Sequence, residues 1–270
     1  MTATRAGPGS SKSRLIGVAM LIALAAGVCF IMLNRTPDVA VLARREQPLQ
    51  PHGRWISLSL EVGDRMIEAK AVILAAGHYG GFLSQQTDPT ASHKRLSQIC
   101  EEEHPLLGVN GGYFDARFSP VGLLRIAGQP LSPLTNEPPL SAIAGFDASG
   151  RLNLLRSTED ASGMVDAVQA GPFVIDPGGG IGVAKSGPAA KRTVLALSIG
   201  GDVVVLSTSN ASLYDVAIIL RQSPTLFGVG AIDRAVNLDG GPSAAMCVPS
   251  LPADSQVTEA GPVRDFVLFR

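Results

Sequence analysis

Cysteine is scarce in this chain, three residues in 270, and none of the three falls in a C-x-x-C pair. The histidines, at 52, 78, 93 and 104, do not pair at zinc-ligand spacing either, so no metal-centred site is indicated. No cofactor is expected, and a divalent cation is left open. Aromatic residues make up only 5%, and 22 Lys+Arg nearly balance 23 Asp+Glu. With neither a basic stripe nor stacking platforms, a nucleic-acid partner is not expected. The G-x-S-x-G, S-x-x-K and H-E-x-x-H signatures are missing too, which removes the familiar serine and zinc hydrolase readings.

What is present is 46% hydrophobic residues and 30 glycines, enough for one sizeable core. Residues 1–14 carry Arg5, Lys12 and Arg14 and read as a cytoplasmic tail. Residues 15–33 are uncharged, and their length at about 1.5 Å per residue spans the roughly 30 Å core of a bilayer. This favours a membrane anchor over a cleaved signal, although Ala23-Leu24-Ala25 would suit a cleavage site. Cys29 lies in this run as apolar filler. The charge before the run would put the following domain outside the cytoplasm, periplasmic or extracellular, or secreted if the segment is cleaved. Residues 34–53, with prolines at 37, 48 and 51 and the cluster Arg44-Arg45-Glu46, read as a stalk. The core pattern begins at Trp55, so residues 1–53 are expected to be dispensable for folding of a domain spanning 54–270.

Within that domain, Trp55–Leu60 and 66–74 read as a hairpin, as do 142–146 with 152–155 around Asp147-Ala148-Ser149-Gly150, and the two β-branched runs joined at Gly200-Gly201-Asp202. One helix is expected where Leu96, Ile99 and Cys100 share a face, and another from Ser212, whose Ser-x-x-Asp spacing to Asp215 suits a capping box. Strands dominate, so the expected fold is α+β, a single domain with a mixed β-sheet and flanking helices. Each helix is followed by a short apolar strand that ends in a polar residue and a glycine pair, "VNGGYF" and "LDGGPS". If both strands enter one sheet in the same sense, the two turns lie along one edge and share a site. Asp239 then has two readings, a hairpin turn residue or a carboxylate presented to a ligand. Cys100 and Cys247 flank these turns, and if the domain is extracytoplasmic they are expected to form a disulfide.

Segments throughout the domain, "VNGGYF", "PVGLLRIAGQPL", "QAGPFVI", "KRTVLALS", "LYDVAIIL", "RAVNLDGGPSAAM" and "GPVRDFVLF", resemble the phosphodiester glycosidase family, with "SPVGLLR" closest in wording to its bacterial branch. Pro242 departs from the glycine or serine common there. The resemblance implies a hydrolase cleaving the glycosidic bond of a sugar-1-phosphodiester in an envelope or extracellular phosphoglycan. A carboxylate must stabilise an oxocarbenium-like transition state, and fixed donors must hold the departing phosphate. Asp239 suits the first task. The Arg192 fork with the Gly240 and Gly241 backbone suits the second, and Asn110 would bind sugar hydroxyls or orient the carboxylate. Gly111, Gly112, Thr193 and Ser243, in the same motifs, and Asp115, in the loop after the first of them, are placed beside substrate. Two rivals stand: a non-catalytic module that binds phosphoglycan, and a phosphodiesterase that cuts the P–O bond.

Overall fold

The runs that alternate apolar and polar residues become strands, and their order in the sheets follows from short connections. The computed structural model describes residues 38–87 and 93–270; the expected tail at 1–14 and anchor at 15–33 lie outside them. Strands β1 (Val39–Leu49), β2 (Gly53–Val62), β3 (Arg65–Leu74) and β4 (Gly81–Gln85) precede helix α1 (Leu96–Glu103) and β5 (Leu107–Asn110). Then come β6 (Leu124–Ile126), β7 (Gln129–Ser132), β8 (Ala142–Asp147), β9 (Leu152–Arg156), β10 (Met164–Ala170), β11 (Phe173–Asp176) and β12 (Gly180–Ile181). The chain ends with β13 (Ala190–Ser198), β14 (Val203–Ala211), α2 (Leu213–Arg221), α3 (Ser223–Leu226), β15 (Ile232–Asn237), β16 (Met246–Cys247) and β17 (Asp265–Phe269).

These strands form an eight-stranded sheet ordered β1-β2-β3-β14-β13-β15-β11-β12, a five-stranded sheet β7-β6-β10-β8-β9 and a four-stranded sheet β16-β5-β17-β4. The three expected hairpins are present as β2–β3, β8–β9 and β13–β14. The mixed sheet is not: every strand pairing among the described residues is antiparallel. Parallel neighbours need long crossovers, whereas six of the fourteen pairings among the described residues join consecutive strands through short turns. Strand content far exceeds helix, and no helix among the described residues is long and apolar enough to cross a membrane.

The central strands of the eight-stranded sheet are buried on both faces, and their successive residues alternate between two cores. Val194, Ala196, Val204, Leu206 and Ala235 face one side, where they pack on Val216, Ile219 and Leu220 of α2. Leu195, Val203, Val205 and Val236 face the other, against Val109, Leu124, Ala144, Val267 and Phe269 of the smaller sheets. Ser212 caps α2 as its spacing predicts: its hydroxyl accepts from Asp215 N–H at 3.1 Å and its own N–H donates to the Asp215 carboxylate at 2.9 Å. Leu96, Ile99 and Cys100 of α1 are buried as one face, against Ala245, Cys247 and Phe266.

The stalk expected over 34–53 is corrected by β1, which pairs with β2 from Val39↔Val62 to Leu49↔Gly53. Arg44 Nη1 donates to the Leu226 carbonyl at 2.6 Å and Arg54 Nη2 to that of Phe227 at 2.7 Å, and Glu46 lies between the two guanidiniums. The charge cluster therefore belongs to the fold.

Candidate active site

The strands that carry the two glycine turns do not share a sheet. β15 belongs to the eight-stranded sheet and β5 to the four-stranded one, so the expectation that both enter one sheet in the same sense fails. The turns nevertheless meet, because the two sheets pack face to face. Asn110, fully buried, donates from Nδ2 to the Asp239 carbonyl at 2.7 Å and accepts on Oδ1 from Ala245 N–H at 3.0 Å. Asp239 N–H donates to the Gly111 carbonyl at 3.0 Å. Asn110 thus has its amide committed to backbone, which corrects its expected contact with sugar: it positions the Asp239 peptide.

Arg192 reaches the same point by strand register. Val194 pairs with Asn237 and Leu195 with Val236, and Leu238 N–H donates to the Thr193 carbonyl at 2.9 Å. Carrying that register forward sets Arg192 across from Asp239, the arrangement in which cross-strand side chains interact. A Cβ built on Gly240 would lie 3.7 Å from Arg192 Nη1 and 2.9 Å from the Lys191 carbonyl, so only glycine lets the loop approach this strand. The guanidinium donates from Nε to the Ala211 carbonyl at 3.2 Å and from Nη2 to that of Pro188 at 2.7 Å. No carboxylate among the described residues forms an ion pair with it. Burial lowers its pKa from the usual arginine value.

The Asp239 carboxyl is largely buried, and burial raises its pKa above the ordinary aspartate value; hydrogen bonds from Ser243 and Gly240 oppose the shift. Gly240 N–H donates to Asp239 Oδ1 at 2.8 Å. That N–H is therefore engaged by the carboxylate beside it, which corrects its expected role as a phosphate donor. Gly241, at φ +60, opens the turn in a conformation that favours glycine. The Ser243 hydroxyl lies within reach of the Asp239 carboxylate and of the Pro262 carbonyl, the latter at 3.5 Å.

Four of the expected substrate contacts are interior or turn-forming. Thr193 is fully buried, on the sheet face opposite Arg192. Gly112 donates its N–H to Asp265 Oδ1 at 2.8 Å, and a Cβ there would sit 2.5 Å from Val168 Cγ2. Asp115 is exposed and closes its own turn, with Oδ1 accepting from Arg117 and Ser119 N–H, both at 2.9 Å. Gly111 is also buried, held by Asp265.

Two residues that sequence reasoning missed complete the site. Tyr113 donates to the Gly171 carbonyl at 2.7 Å and accepts from Asn237 Nδ2 at 2.9 Å. Burial, with the nearby Asp239 charge, pushes its hydroxyl up to about 12, and Arg192 acts the other way. Tyr113, Asn237 and Arg192 line a cavity of about 460 Å³ that Val183, Pro188 and Tyr214 also line. "VNGGYF" contains Tyr113 and "RAVNLDGG" contains Asn237, but neither residue type announces a role before the fold joins them.

Among the described residues no group of His, Cys, Asp and Glu could hold a metal ion. Cys100 and Cys247 come together as buried free thiols in hydrogen-bond contact, so the expected disulfide is absent.

An antiparallel β scaffold thus sets a largely buried carboxylate across from an arginine that lines a cavity. The family model for phosphodiester glycosidases matches residues 104–269, more than half of the chain. The chain belongs to the phosphodiester glycosidase family. Its fold is similar to that of the zebrafish N-acetylglucosamine-1-phosphodiester alpha-N-acetylglucosaminidase catalytic domain auto-inhibited by pro-peptide (14% identity, 87% of this chain and 88% of that one, TM-score 0.59). It is also similar to a hypothetical protein from Synechocystis (12% identity, 86% and 67%, TM-score 0.61). No curated protein sequence matches this chain. Family and fold together support a glycosidase-type hydrolase.

Proposed function

We propose that this protein hydrolyses the glycosidic bond of a sugar-1-phosphodiester, with Asp239 acting at the anomeric carbon and Arg192 holding the phosphate. The observation that carries the reading is the register of β13 and β15, which sets Arg192 opposite Asp239 with no carboxylate paired to it. A desolvated guanidinium with a free Nη1 suits an anionic ligand. The phosphate monoester leaves as a stabilised anion, so the leaving group needs little protonation. What remains is stabilisation of positive charge at the sugar, supplied by the Asp239 carboxylate as nucleophile or base, and of negative charge at the phosphate, supplied by Arg192 and the Gly241 backbone.

Tyr113 and Asn237 line the cavity beside this pair and suit the sugar hydroxyls. The glycan that carries the phosphodiester would lie in the envelope or outside the cell if residues 15–33 anchor the chain as their length suggests.

Release of sugar from an aryl sugar-1-phosphodiester tests the reading. In heavy-oxygen water the label is expected in the sugar; label in the phosphate would identify P–O cleavage instead, and retention of ligand without release would identify a binding module.

A further inference from the structure

A second carboxylate lies beneath the Asn110 turn. Asp265 opens β17, between β4 and β5, and its side chain is fully buried. Its Oδ1 accepts from Gly112 N–H at 2.8 Å, its backbone carbonyl accepts from Gly111 N–H at 2.8 Å, and its Oδ2 has no hydrogen-bond partner. A Cβ on Gly111 would stand 1.9 Å from Oδ1. Gly111 is therefore glycine because the carboxylate fills that space, and the Gly111 carbonyl in turn accepts from the Asp239 N–H at 3.0 Å. An unbroken path of hydrogen bonds thus runs from Asp265 through the turn to the peptide of Asp239.

A buried carboxylate with one unpaired oxygen is costly, and an amide or apolar side chain would cost less. Its charged surroundings are few. Arg264 adjoins it, but that guanidinium is spent on the Phe118 and Gln86 carbonyls and the Gln85 side chain. The paired positions on β4 and β5 carry the neutral Gln85 and Asn110, and the other charge that faces it is Asp239.

We propose that Asp265 is the positioning residue for Asp239: it fixes the Gly111–Gly112 turn that holds the Asp239 peptide and couples its own charge to that of the catalytic carboxylate. The proposal rests on the role given to Asp239 above. Burial and the Asp239 charge push the Asp265 carboxyl up to about 6, against the Gly112 hydrogen bond and Arg264. The acid limb of turnover then belongs to the pair. Above it, the charged Asp265 holds the Gly112 N–H by a charge-assisted bond; below it, that grip weakens.

Asp265→Asn in the full chain keeps an acceptor for Gly112 and removes the charge. The expected result is a fall in kcat of about tenfold or more with little change in KM, as misplacement of a reacting group predicts. The acid limb of kcat/KM should move to lower pH. Carbon-13 titration should likewise find the Asp265 carboxyl ionising at lower pH in Asp239→Asn than in the wild type, since a like charge has been removed. A folded Asp265→Asn variant with a superimposable pH profile, together with an unchanged Asp265 titration in Asp239→Asn, would overturn the proposal. Should the variant not fold, the wild-type titration decides: a cross-inflection between the two carboxyls supports coupling, and two independent single-step curves overturn it. A wild-type chain that releases no sugar would count against the hydrolase reading while leaving the titration decisive here.

Discussion

Asp239 and Asn110 are both polar residues ahead of a glycine pair, yet the fold gives them different tasks. Asn110 has its amide committed to the Asp239 carbonyl and Ala245 N–H, whereas the Asp239 carboxylate accepts from the Gly240 N–H and lies within reach of Ser243. Asp239→Asn preserves shape and turn propensity, so the protein should fold with an unchanged melting temperature while sugar release falls by roughly a thousandfold or more. Wild-type turnover in that variant would return Asp239 to a turn residue. Arg192→Lys keeps the charge and loses the fork. It should raise KM roughly tenfold, more than it lowers kcat, because Lys can replace only one of the directed contacts. The Asp239 carboxyl is raised by burial, so its charged form, the one that serves the sugar, is lost on acidification at a higher pH than for an exposed aspartate. Activity should therefore fall from neutral pH downward in a pH–rate profile before any loss of the near-ultraviolet signal of the fold.

At the scale of elements, β1 decides how much of the chain the domain needs. Its loss would bare the backbone edge of β2 over the full ladder from Gly53 to Val62 and remove the Arg44 and Glu46 contacts beside α3. A chain begun at Gly53 should melt lower and aggregate more readily than one begun at Asp38, measurable by calorimetry and light scattering. The hairpins and both longer helices were legible because a period of two, turn residues at Asp147–Gly150 and Gly200–Asp202, and the Ser212 cap all act locally. β1 was not legible, since most of its residues are exposed and a strand wet on both faces carries no alternation. Asp239 and Arg192 could be picked out from their motifs. Tyr113 and Asp265 could not, because their meaning depends on Asn237 and Gly112, which are distant in sequence. Thr193 was misread for a related reason: it adjoins Arg192, but neighbours on a strand face opposite ways.

For the molecule as a whole, Asp265 links acidity to stability. Its carboxyl is raised in the folded state, to about 6, above the roughly 3.9 of an unfolded aspartate. The folded chain therefore binds more protons in that window, and the contribution of this group is fully present below the unfolded value and lost as pH rises through about 6. The difference is on the order of 3 kcal/mol, and Asp265→Asn should abolish it, flattening the dependence of unfolding free energy on pH between those limits. Denaturant titrations at two pH values, with the single tryptophan, Trp55, buried in the core as reporter, would measure it.

The two glycine turns come from separate sheets, so the pocket is a junction and not the property of either sheet. Partial opening that frees the strand edge carrying Asn110 and Asp265, while leaving β13 and β15 in place, would leave Asp239 attached to an intact sheet but unheld. Under mild denaturant, catalytic competence should then vanish while amide protons in the larger sheet remain slow to exchange. Inactivation that preceded unfolding in this way would be a signature of assembly across the junction, and heat or chaotropes would silence the protein well before they dissolve its core.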